Sequence, residues 1–160
     1  MTQSANDLAS AIETKMGRAW LPRIYRDRIL KMRTRSYEFP TLSGRATPRI
    51  HHTLLGIELK VGRRRMLCPD LATARYLAVW ARAGCKAVAI PYDITKISQI
   101  ADELESSWHR MFLLLDETTR DESMRARTRR SLVTRVREEM DAAGAGPPAP
   151  EFARSTKQQR

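Results

Sequence analysis

The sequence predicts an α/β fold of the mixed α+β kind: a small mixed sheet with a β-hairpin and one βαβ crossover, flanked by about five helices. Three observations carry that expectation. Apolar and charged residues alternate in "GIELKV" (56–61), the period of a strand with one buried face. The helix-length stretch "PDLATARYLAVWARAG" separates it from the almost wholly apolar "KAVAIP", the order of a right-handed parallel unit covered on both faces. Most of the remaining chain has apolar residues at three-four spacing, as helices with one buried stripe do.

Taken in order, Ser4 and Asp7 form a capping pattern ahead of Leu8, Ile12, Met16 and Trp20, which recur at helical intervals. Pro22 either kinks that helix or starts a second one, because proline fits a first turn that needs no N–H partner. In the second segment Leu21, Ile24, Tyr25, Ile29 and Met32 share one arc, and Arg23, Arg26, Lys31 and Arg33 lie opposite. Arg28 falls inside the apolar arc, where it has to snorkel outward or meet a carboxylate. Pro, Gly and Ser mark 36–49 as a loop with room for a short edge strand at Tyr37 to Phe39. Leu54 to Cys68 reads as a hairpin turning at Gly62.

Asp70 and Gly84 frame the next helix as N-cap and C-terminal stop. A long helix follows, with Ile94, Ile97, Ala101, Leu104, Trp108, Met111 and Leu115 on one seam. The last helix, 121–140, is rich in arginine and has a thin apolar stripe. One domain over 1–143 and a flexible Gly/Pro tail over 144–160 complete the expected organisation.

Charge narrows the function classes. The chain holds 29 Lys+Arg against 18 Asp+Glu, a formal net charge of +11. Residues 1–69 carry 14 of the basic groups and 5 of the acidic ones, so the excess sits in the front of the chain. Most of the cations are arginines, whose planar fork takes a phosphate through two parallel hydrogen bonds. A polyanion, DNA or RNA, is the expected partner, against the plainer alternative of a genome that favours arginine codons.

Two cysteines, Cys68 and Cys85, give neither a disulfide framework nor a zinc spacing, which fits a reducing cytoplasm. No leader-like start or membrane-length apolar run is seen. Walker, Rossmann and nucleophile-elbow motifs are absent as well, which disfavours nucleotide hydrolysis, dinucleotide redox and esterase chemistry.

The candidate phosphate-binding residues are Arg63, Arg64 and Arg65 at the hairpin turn, with Arg23, Arg26, Lys31 and Arg33 on the second helix. The two groups are expected to form one patch, against the alternative of solvated charge runs. Tyr25, Tyr37 and Phe39 lie among these cations and offer stacking surfaces, although core or loop packing explains them too. The arginines between 125 and 137 alternate with acids, which favours ion pairs along a solvated helix. His51, His52 and His109 lack partners at ligand spacing, and the cysteines lack a nucleophile motif.

Glu58 and Lys60 share one strand face about 7 Å apart, within reach of one phosphate. With "IELKVGRRRMLCPDLATARYLAVWARAGCKAVAIP" around it, this Glu-x-Lys resembles the core of the PD-(D/E)xK nuclease superfamily, and within it the archaeal Holliday-junction resolvases. The resemblance covers about a quarter of the chain. It implies Mg²⁺ bound by acidic groups, with Glu58 and Lys60 as catalytic residues and Glu58 and Glu38 as metal ligands. Glu13 would be a fourth member by analogy, and the superfamily's upstream Asp has no counterpart here. The alternatives to a nucleic-acid-binding module are therefore a metal-dependent endonuclease and an assembly subunit. The latter would form a homo-oligomer or partner complex through the long-helix seam of Ile97, Leu104 and Met111.

Overall fold

The computed structural model describes residues 3–40 and 47–146. Helix α1 (Ala5–Met16) starts on the expected reciprocal cap: the Ser4 hydroxyl accepts from the Asp7 N–H, and the Asp7 carboxylate accepts from the Ser4 N–H, both at 3.1 Å. A 3₁₀ turn leads to α2 (Leu21–Ile24), where Pro22 sits in the first turn as a helix start. The chain then widens into a π-helical turn, Tyr25–Ile29, closed by the Leu30 N–H on the Tyr25 carbonyl. Arg28 leaves the apolar arc and pairs with Glu103, the second of the two outcomes open to it.

Helices α3 (Leu71–Ala83), α4 (Ile94–Thr118) and α5 (Glu122–Ala143) form the rest of the helical layer. The Asp70 carboxylate caps α3 by accepting from the Thr73 N–H at 2.7 Å, and Gly84 ends it at φ 79°, a left-handed value that costs glycine nothing. Arg75 clamps α3 to α4 by reaching Asp102 and Glu105, both at 2.5 Å. The thin stripe of α5 proves sufficient: Thr128, Leu132, Val136 and Met140 are buried at four-residue intervals, largely against α1.

Among the described residues five strands make two antiparallel sheets, which replace the single mixed sheet and parallel crossover that the sequence predicts. Strands β1 (Thr34–Glu38) and β5 (Ala87–Pro91) form one, and β2 (Arg49–Thr53), β3 (Gly56–Val61) and β4 (Arg64–Cys68) form the other with β3 in the centre. The reason lies at Ala89. Its N–H donates to the Tyr25 hydroxyl at 2.8 Å and its carbonyl accepts from the Tyr76 hydroxyl at 2.6 Å. Two phenols thus occupy the edge of β5 on which a parallel neighbour would have to pair. The mixed α+β class stands; the crossover does not form.

The core is continuous. Trp80, Tyr25, Tyr76, Leu59, Leu104 and Met111 are all essentially inaccessible within it. The α4 seam of Ile97, Leu104 and Met111, considered above as an assembly interface, is therefore this domain's own interior. Ordered packing also continues past residue 143: the Tyr25 hydroxyl donates to the Gly144 carbonyl at 2.6 Å, and Gly146 lies against Thr34 and Ala89. The remainder of the proposed tail, 147–160, falls outside the described residues.

Candidate nucleic-acid interface

The three-stranded sheet lays its inner face, with Leu59, Val61 and Cys68, on α3. Alternation then sends Glu58 and Lys60 outward. The register decides what surrounds them. Lys60 stands between Arg49 on β2 and Arg65 on β4, a row of three cations across three strands. Side chains directly opposite in such a ladder start about 5 Å apart. Glu58, one row along, has His51 and Leu67 beside it.

The β3–β4 connection is a two-residue turn, Gly62-Arg63, between the paired Val61 and Arg64. Gly62 has φ 62°, and the first turn position of such a hairpin needs a positive φ. That geometry presents Arg63 at the same end of the sheet as the cationic row, whereas Arg64, opposite the inward Val61, leaves from the other face; both are exposed. Among the described residues, none of Arg49, Lys60, Arg63, Arg64 and Arg65 is ion-paired.

The opposite end of the sheet is apolar. At the β2–β3 turn the Thr53 hydroxyl accepts from the Leu55 N–H and donates to the Gly56 carbonyl. This staple leaves Leu54 and Leu55 fully in solvent, and Leu67 nearby is 65% exposed.

The second-helix cations do not join this surface. Helix α2 packs on α4 and α5, whereas the sheet packs on α3. Arg23 pairs with Asp27 at 3.8 Å. Arg26 donates to Glu139 at 3.2 Å, and the same carboxylate accepts from the Trp20 indole at 2.9 Å. Lys31 and Arg33 flank a smaller cleft with Lys96 and Asp93, where the Arg33 guanidinium lies 5.0 Å over the Tyr92 ring. Of the proposed phosphate contacts, the structure groups Arg63 and Arg65, sets Arg64 on the other face, and adds Arg49, which its position in the expected loop concealed.

The acids of the nuclease expectation are also apart. Glu38 ends β1, in the other sheet from Glu58. Glu13 faces Arg135 at 3.7 Å, and its pKa is pushed up by burial and by nearby Glu139. Among the described residues, no three His, Cys, Asp or Glu side chains are grouped to hold a metal ion. Glu58 beside a row of three cations is a poor seat for Mg²⁺, because the ion would meet like charge on one side and a single carboxylate on the other.

Tyr25 is buried, so it is not a stacking surface. Tyr37 and Phe39 pack edge to face with centroids 5.2 Å apart. Both cysteines are buried, and burial pushes their thiol pKa values up, to about 12 for Cys85, which suits inert packing.

A second basic surface appears where the sequence suggests ion pairing. Arg125 and Arg135 do find carboxylates, Asp116 and Glu13, on other helices. Arg129, Arg130 and Arg137 instead line a cleft of about 1240 Å³ between α5 and the α3–β5 junction.

No protein-family model, curated protein or solved structure matches this chain. Among the described residues, no helix is long and apolar enough to cross a membrane.

Proposed function

We propose that this protein binds nucleic acid, DNA or RNA, by its phosphate backbone, using the outward face and β3–β4 turn of the three-stranded sheet. The observation that carries the reading is the cross-strand row Arg49, Lys60, Arg65 with Arg63 on the turn at its end. Like charges set opposite one another in a ladder destabilise it, so such a row suits a polyanion that neutralises it. Guanidinium groups at a tight turn follow a phosphate backbone and carry no sequence information of their own.

Binding of labelled duplex, single-stranded and branched DNA and of RNA, measured for wild type and for Arg49→Ser/Arg65→Ser, tests this reading. Loss of affinity in the variant with an unchanged thermal melt supports it; equal affinity in both proteins rejects it. The same mixtures incubated with Mg²⁺ test the nuclease alternative, which requires cleavage by wild type and none by Glu58→Ala.

A further inference from the structure

The cleft between α5 and the α3–β5 junction is not part of the sheet surface, yet it adjoins it. Val61 lines the cleft, and the cross-strand partner of Val61 is Arg64. Five cations line it: Arg82, Lys86, Arg129, Arg130 and Arg137. Glu38 is the one carboxylate among its described lining residues, and none of the five cations has an ion pair there.

We infer that this cleft holds a single-stranded segment of nucleic acid running on from a duplex seated on the sheet. The inference rests on the phosphate-binding reading of the sheet. Two features favour a strand over a small anion. Arg130 and Arg137 are seven residues apart on one helix, about 10 Å along its axis, so the cations are spread along the cleft and not gathered at one point. The volume, about 1240 Å³, exceeds the roughly 300–1,000 Å³ of ordinary small-molecule sites.

The lining also has the two components that single-strand sites combine, cations for the backbone and apolar or aromatic surface for bases. Val133 and the half-buried Trp108 supply the second. Trp108 packs edge-on against Phe112 with centroids 5.2 Å apart, and the Arg129 guanidinium lies 4.5 Å from the centroid of the Phe112 ring. The platform is therefore braced from within the fold.

Fluorescence anisotropy with a blunt duplex, the same duplex carrying a ten-nucleotide thymidine overhang, and the free thymidine strand tests this, with inorganic triphosphate as competitor. Lys86 and Arg130 are both exposed, so Lys86→Ser/Arg130→Ser leaves the core untouched. Wild type is expected to prefer the overhang substrate to the blunt duplex by about tenfold, a preference the variant loses while its blunt-duplex affinity stays within about twofold. Equal wild-type affinity for the two duplexes, or an unchanged preference in the variant, overturns the inference and leaves the sheet reading intact. Displacement of the thymidine strand by triphosphate at equal phosphate concentration also overturns it, in favour of a small polyanion. Absence of binding to every nucleic acid removes the sheet reading and this inference together.

Discussion

Lys60 and Arg65 face each other across the β3–β4 ladder, outward and, among the described residues, without a carboxylate partner. Two cations opposed in this way cost the sheet a few tenths of a kcal/mol, and a phosphate between them reverses the sign. Lys60→Thr, which keeps strand propensity, is therefore expected to leave stability unchanged or raise it by about 0.5 kcal/mol. The same substitution should weaken duplex binding at low salt and reduce the salt slope by about one. Urea unfolding and anisotropy on one protein preparation check both halves.

Tyr25 ties three distant segments together, because its hydroxyl accepts from Ala89 and donates to Gly144. Tyr25→Phe keeps the ring, including its edge-on contact with Trp80, and strands a buried N–H and a carbonyl. The expected loss is about 2–3 kcal/mol in urea unfolding, the penalty for leaving such groups unpaired. A loss below about 0.5 kcal/mol would mean that the edge of β5 is not held this way.

Leu104 is the most direct check on the long helix. Since it is fully buried, Leu104→Ala is expected to cost about 2–5 kcal/mol, through lost apolar burial and the cavity left behind. Were the seam an interface between molecules, the substitution would change molecular mass in solution and leave the monomer's unfolding midpoint where it was.

Stability should fall at alkaline pH. Burial pushes Cys85 from 9.0 and Tyr25 from 10.0 up to about 12 each. The unfolded chain therefore gives up these protons first, and the native state holds more of them between the two values. Stability is full below pH 9, then declines as pH rises toward 12. Thermal melts should be flat from pH 7 to 8.5 and drop above 9, with Cys85→Ala flattening the onset of the decline.

Much of the local structure could be read from sequence because it rests on neighbours in the chain. The Ser4 cap, the Asp70 and Gly84 frame, the Pro22 start and the alternation of Glu58 and Lys60 are set by residues within a turn or a strand of each other. Strand pairing is not. The order of β3, α3 and β5 suits a parallel unit, and only the arrival of Tyr25 and Tyr76 at Ala89, from 64 and 13 residues away, determines otherwise.

The site divides along the same line. The turn arginines declare themselves by adjacency, and alternation puts Lys60 beside Glu58. Arg49 becomes a member only through its register with Lys60. Spacing along α5 suggested internal ion pairs, but Glu139 is drawn to Trp20 and Arg26, and the cleft arginines are left facing α3. The second-helix cations showed the reverse: Asp27 stands four residues from Arg23, a helical ion-pair spacing, but a cationic arc on a helical wheel gave no hint that Glu139, 113 residues from Arg26, would engage it.

The most direct test is the salt dependence of duplex binding by wild type and by the variant in which Arg49, Arg63 and Arg65 are all serine. Four phosphate contacts, from Arg49, Lys60, Arg63 and Arg65, predict a log–log slope of about −3.6 for wild type, and a slope shallower by about 2.7 for the variant. Equal slopes for the two proteins would contradict the claim that this sheet is where the phosphate backbone is bound.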